Sequence, residues 1–145
     1  MDEGEAIRGL LLDYCERVDA GDWTAVGELF AHGALGDQHG SVIASGAEDV
    51  AAFYRRGTQL HDGSPRTKHL VVGTSLAGPA ADGTVVARSS YLVLQAVEGV
   101  PLQPIITGRY VDRFARTRAG AWHFVERRFV VDLVGDVSHH LRYSL

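Results

Sequence analysis

One change of period divides this sequence. Up to Leu60 the apolar residues recur at helical spacing. Beyond His61-Asp62-Gly63-Ser64-Pro65 they alternate or run together in long apolar segments. Glycine and proline interrupt helical hydrogen bonding, so this stretch is a stop as well as a change of pattern. Helices first and strands afterwards define an α+β chain, with its helices packed on one face of a sheet.

In the first part, Ile7, Leu10, Leu11, Tyr14 and Val18 mark the buried side of a helix over Glu3–Asp19, with Arg8, Asp13, Glu16 and Arg17 opposite. Ala20-Gly21 ends it. Asp22 is placed to cap a second helix over residues 23–30, whose apolar face is Trp23, Val26, Leu29 and Phe30. Residues 31–40 read as loop, followed by one short strand around 41–44. Ser45 with Glu48 three residues later has the pattern of a capping box, which predicts a third helix over residues 47–60 with Val50, Phe53, Tyr54 and Leu60 turned inwards.

Four long strands are predicted in the second part, over residues 67–76, 84–97, 105–116 and 121–133. Their short connections favour an antiparallel meander, because a parallel crossover needs a dozen or more residues. Apolar residues occur at both parities, as in Val85 and Val93 against Val86, Leu92 and Leu94. A sheet with one wet face would alternate more cleanly, so the second face is expected to be covered too. The simplest cover is another copy of the chain, giving a homodimer through the outer sheet face.

With 145 residues the chain is expected to form one domain, 1–145, burying roughly 70 % of its unfolded surface. No apolar run reaches the length of a bilayer span, and Met1-Asp2-Glu3-Gly4-Glu5 is acidic where a secretory signal is basic. The single cysteine, Cys15, falls on a helical apolar pattern and suits a reducing compartment, so a cytoplasmic location is expected. A net charge of -4, with the arginines scattered, gives no attraction for nucleic acid or anionic lipid. A small organic molecule or another protein is the partner these features leave. Zinc-ligand spacing, a phosphate-cradling glycine loop and a Gly-x-Ser-x-Gly elbow are all missing, so neither a metal nor a cofactor is expected.

The residues suited to chemistry begin with His69, in Thr67-Lys68-His69-Leu70-Val71. Strand alternation sets Thr67, His69 and Val71 on one face. Asp19 ends the first helix, where the helix dipole disfavours a carboxylate by roughly 0.3–1 kcal/mol. Two readings of Asp19 stand at this point: it projects into solvent or bonds to the Asp22 turn, or it faces the mouth of the sheet and accepts a hydrogen bond from His69. In the second case a carboxylate fixes the imidazole tautomer and makes the ring a general base. Tyr14, five residues before Asp19, is a core tyrosine or a phenol donating into the same cavity. Glu126-Arg127-Arg128 turns one arginine to each face of the last strand. Simple alternation groups Arg128 with Trp122 and Phe124, which favours Arg128 as the pocket residue, steadying developing negative charge. An ion pair across the sheet, for example with Asp112, is the other reading.

The order of these parts resembles the SnoaL-like branch of the nuclear transport factor 2-like superfamily over nearly the whole chain. The resemblance rests on Tyr14-Cys15-Glu16-Arg17-Val18-Asp19-Ala20-Gly21-Asp22-Trp23, Leu29-Phe30, Lys68-His69-Leu70, the run from Gly108 to Phe114, and Trp122-His123-Phe124. It implies a cone-shaped α+β barrel, a strongly curved, mostly antiparallel mixed sheet with three N-terminal helices enclosing an apolar pocket. It also implies a dimer through the outer sheet face. In dehydratase-like members an Asp closing the first helix and a His opening the first long strand form a dyad, and Asp19 and His69 match those places. Tyr14 matches a Tyr five residues before the Asp in bile-acid dehydratase-like members, and Arg128 or Arg127 a late Arg. Those members also use an acid in the strand after the His, where this chain has Arg88-Ser89-Ser90-Tyr91.

The function expected is therefore a lyase or isomerase, dehydratase- or cyclase-like, acting on an apolar, carbonyl-bearing or hydroxylated molecule. His69, Asp19, Tyr14 and Arg128 would carry the chemistry, while Trp23, Phe53, Tyr54, Tyr91 and Trp122 contact the ligand. The alternative is a non-catalytic binding or accessory subunit of the same fold, such as a ring-hydroxylating dioxygenase small subunit. Residues 132–141 either fold over the pocket mouth or form an exposed tail.

Overall fold

In the computed structural model, which describes residues 2–145, each of the first two helices starts on an aspartate. Asp2 accepts the Glu5 backbone N–H at 2.8 Å and opens α1 (Glu3–Asp19). Asp22 accepts that of Ala25 at 3.1 Å and opens α2 (Trp23–Glu28). Such caps satisfy amides that the helix itself leaves free. Leu29 and Phe30 continue α2 as a tighter turn, the Phe30 N–H reaching Gly27 at 2.9 Å, and both side chains stay buried.

The third helix, α3 (Ala47–Gly57), departs from expectation at both ends. Its N-cap is Gly46, at φ 83°, and not Ser45, so the capping box does not form. Ser45 instead closes a strand and donates its backbone N–H to Asp49 Oδ2 at 3.1 Å. At the other end Thr58 turns extended and bridges to Leu141, which stops the helix three residues before Leu60.

Six strands form one open mixed sheet in the order β2-β1-β6-β5-β4-β3. They are β1 (Ala34–Gly36), β2 (Val42–Ser45), β3 (Thr67–Ala77), β4 (Val85–Val97), β5 (Val100–Arg116) and β6 (Trp122–Val134). The β1–β6 pairing is parallel and the others antiparallel. Short β1 lies in a stretch rich in glycine and histidine that reads as loop in sequence. Strand β5 begins five residues before Ile105 despite Pro101 and Pro104. Its pairing with β6 reaches only to Ile106, so those prolines lie where one side of the strand has no ladder to complete.

Irregular register in every long pairing bends the sheet. Gly108 marks one such bend: a Cβ there would meet Val130 O at 2.1 Å and Tyr91 Oη at 2.6 Å. The inner face, with Val85, Ala87, Tyr110, Phe114 and Phe124, packs on Ile7, Leu11, Val26 and Phe30 from the helices. Phe30 and Phe124 stack at 4.7 Å between ring centres. Burying a side chain of this size contributes roughly 1.5–3 kcal/mol. Among the described residues no helix is long and apolar enough to cross a membrane.

Candidate active site

The end of α1 meets the start of β3 through a carboxylate and an imidazole. Asp19 Oδ1 lies 2.6 Å from His69 Nδ1, and Asp19 Oδ2 accepts the His69 backbone N–H at 2.9 Å. Thr67 Oγ1 donates to Asp19 Oδ1 at 2.9 Å. Asp19 therefore caps the edge of the sheet rather than projecting into water, which offsets its poor position at a helix C-terminus. Because the carboxylate can only accept, Nδ1 carries the proton, and a neutral His69 presents Nε2 as its acceptor.

His69 lines a cavity of about 560 Å³ between the helices and the inner sheet face. Tyr14, Phe53, Tyr54, Tyr91, Tyr110 and Phe129 supply most of its aromatic wall. The Tyr14 and Tyr54 hydroxyls are hydrogen-bonded to each other. Tyr91 and Tyr110 stack at 4.3 Å. Burial pushes all four phenols above their ordinary value of 10, Tyr91 to about 12, with the Arg127 guanidinium opposing the shift. They are donors that stay protonated at neutral pH.

Arg127, not Arg128, takes the inward position, because β6 carries a bulge. Arg113 pairs with Glu126 and the next residue, Phe114, with Phe124, leaving Val125 without a partner. One extra residue reverses which parity faces inwards. Arg127 is fully buried and donates from Nε and one terminal nitrogen to the two oxygens of Asp112 at 2.8 and 2.9 Å. Its guanidinium lies 3.7 Å from the Tyr110 ring centre and 4.2 Å from that of Tyr14, behind the cavity wall. Burial pushes the Asp112 carboxyl up and Arg127 opposes this. The fork-to-fork geometry is that of an ion pair. Arg128 lies over Gly36 and Gly40, half-exposed and paired with Glu126 at 2.9 Å. It does not line the cavity.

Two of the five expected ligand contacts also fall elsewhere. Trp23 stacks flat on Tyr54 at 5.8 Å and is a core residue behind the wall. Trp122 packs beside the first half of α1, beneath the Arg116 guanidinium at 5.3 Å. Phe53, Tyr54 and Tyr91 do line the cavity. Sequence reasoning did not single out Tyr110 or Phe129, both of which line the cavity. It named none of His140, Leu141 and Tyr143 as a ligand contact, and these close the cavity mouth. The segment after β6 thus folds over the opening and is not a free tail, a choice the sequence left open.

An open, bulged six-stranded sheet with three helices on its inner face, curved round an apolar hollow, is the cone fold of nuclear transport factor 2-like proteins. The SnoaL-like domain family matches residues 1–128, and the chain belongs to that family. Three solved structures from Novosphingobium aromaticivorans share the architecture. One, a nuclear transport factor 2-like protein with a cystatin-like fold, has 23% identity, TM-score 0.71, and coverage of 94% of this chain and 86% of that one. A second, a candidate aromatic-ring-hydroxylating dioxygenase beta subunit, has 19% identity, TM-score 0.70, and coverage of 90% of each chain. A third, a candidate scytalone dehydratase, has 17% identity, TM-score 0.70, and coverage of 92% of this chain and 87% of that one. At these identities the likeness shows the fold alone. No curated protein matches the sequence.

Proposed function

We propose that the protein is a small-molecule lyase or isomerase, of the dehydratase or cyclase kind, working by proton abstraction in this cavity. The observation that carries the reading is the 2.6 Å contact of Asp19 with His69 in the wall of an apolar hollow. His69 Nε2 takes a proton from the carbon next to a carbonyl, and Asp19 stabilises the imidazolium that forms. The bonded Tyr14–Tyr54 pair holds two hydroxyl protons and uses one between them. The other is free to hydrogen-bond the oxygen that gains charge. In a dehydration the imidazolium then returns its proton to the departing hydroxyl, so that water leaves and a double bond remains. Arg127 acts from behind the wall, its charge lying against the Tyr14 and Tyr110 rings.

The test is turnover on a panel of uncharged β-hydroxy ketones, followed by mass spectrometry for a product lighter by one water. Wild-type protein is expected to convert at least one member, and His69→Ala to lose that activity. Full turnover by His69→Ala would sink the assignment. An accessory binding subunit is the second reading, favoured by the likeness to the candidate dioxygenase beta subunit. It expects no turnover on any panel member. Against it, the carboxylate and imidazole touch and the hollow is not plugged by side chains.

A homodimer through the outer sheet face belongs to the same reading. Val72 on β3 and Leu133 on β6 are 59% and 72% exposed, and a second copy would cover them. A cytoplasmic place of action fits Cys15, which is buried and free, its thiol pushed up to about 11 chiefly by burial.

A further inference from the structure

The segment that closes the cavity mouth is fastened by side chains from three directions. Gln59 Nε2 donates to the Ser138 and Leu141 carbonyls, both at 2.7 Å, and Gln95 Nε2 to the His139 carbonyl at 3.0 Å. His61 Nε2 also meets the His139 carbonyl, at 2.8 Å. The Gln59 backbone N–H donates to the His140 carbonyl at 2.8 Å, and that of Arg142 to the Gly57 carbonyl at 2.9 Å. Together these fix His140 against the cavity with its ring centre 6.3 Å from that of His69.

The His140 side chain has an unmet requirement. The residue is 8% exposed, and its Nδ1 is buried without a hydrogen-bond partner in the protein. That nitrogen has no access to the cavity, so the ring meets a ligand through its other nitrogen, Nε2. Burial, and then the neighbouring His69, push the imidazole down to about 4, with Asp19 opposing. At neutral pH the ring is uncharged, with one donor and one acceptor nitrogen. The 6.3 Å separation is too long for a direct bond between the rings and short enough for one oxygen atom to reach both. Among the described residues no lysine or arginine lines the cavity, so an ionised carboxylate or phosphate finds no counter-charge there.

We propose that His140 is a ligand-binding residue of the cavity, donating a hydrogen bond to an uncharged hydroxyl group that in turn donates to His69. This rests on reading the cavity as the site of chemistry, and adds where the polar end of the ligand lies. It makes the closing segment part of the site, so that the mouth recognises the oxygen while the wall holds the apolar body.

The test uses 1-naphthol and 1-methylnaphthalene, which differ in a hydroxyl against a methyl group, with binding followed by calorimetry on the full chain. Wild-type protein is expected to prefer 1-naphthol. His140→Phe, which keeps a ring but no nitrogen, is expected to weaken 1-naphthol binding roughly 3–10-fold and leave 1-methylnaphthalene within twofold. His140→Gln, which brings a polar atom near the Nε2 position, restores most of the preference. Nitrogen-15 spectra of histidine-labelled wild-type protein give a readout that needs no variant, since the His140 ring signals must move when 1-naphthol is added. Unchanged 1-naphthol affinity in His140→Phe, still ring signals, or no preference between the probes in wild-type protein would each overturn the proposal. Binding is read here without turnover, so its failure is separable from a failure of proton abstraction by His69.

Discussion

Asp19 holds His69 twice, once by the imidazole and once by the backbone of the same residue, while Thr67 holds Asp19 from below. The carboxylate is thus both a joint between α1 and β3 and the partner that sets the imidazole tautomer. A substitution there is expected to act on stability and on the proposed chemistry together, and the two can be separated by choosing its shape.

Asp19→Asn keeps the shape but lets the amide donate where the carboxylate only accepts, so Nδ1 loses its fixed role. Activity on a panel substrate is expected to fall about 10²–10⁴-fold, with the urea midpoint moving little. Asp19→Ala leaves three donors without an acceptor and is expected to cost about 1–3 kcal/mol in urea unfolding as well.

His140 gives the fold an acid-sensitive edge. Its pKa is depressed from 6.5 to about 4, so the folded state favours the neutral ring. The stability this contributes is fully present above pH 6.5 and is lost as pH falls toward 4. Between pH 7 and 4.5, His140→Phe is expected to lose less stability than wild type, by on the order of 2 kcal/mol. Parallel urea titrations of the two proteins check this. Hydrogen exchange at the Gln59 and Arg142 amides is expected to speed up first.

Arg127→Ala strands the Asp112 carboxylate in the core, and a loss of about 3–5 kcal/mol is expected. Replacing both residues, Arg127→Met with Asp112→Leu, should recover most of it. Arg128→Ala is expected to stay within about 0.5 kcal/mol of wild type, because its pair with Glu126 is half-exposed at the sheet surface. Thermal melts of the three variants would reverse the inward assignment if Arg128→Ala proved the costly one.

Gly108→Ala forces a methyl group against the Val130 carbonyl and the Tyr91 hydroxyl. An expected destabilisation of at least about 1–3 kcal/mol is measurable by urea unfolding. The nitrogen-15 spectrum should change most along β5 and β6.

If a second copy covers the outer sheet face, Leu133→Asp should shift the light-scattering mass from dimer to monomer without unfolding the chain. A wild-type monomer at micromolar concentration would remove the dimer from the reading.

Local chemistry made much of this protein legible in its sequence. The stop at His61 to Pro65 separates helices from strands because backbone hydrogen bonding changes there whatever the rest of the chain does. The spacing of Tyr14 and Asp19 on one helix, and of Thr67 and His69 on one strand face, follows from the same local geometry. Tertiary structure decided what depends on pairing between distant segments. A single unpaired residue, Val125, exchanged the faces of Arg127 and Arg128, and no property of Val125 itself announces that register. Trp23 went behind Tyr54 rather than into the hollow because α2 packs on α3, and both positions are equally apolar in sequence. Whether residues 137–142 closed the cavity depended on acceptors and donors at Gln59, His61 and Gln95, far away along the chain. Periodicity reports which side of an element is dry, whereas the contents of a cavity are fixed only when several elements meet.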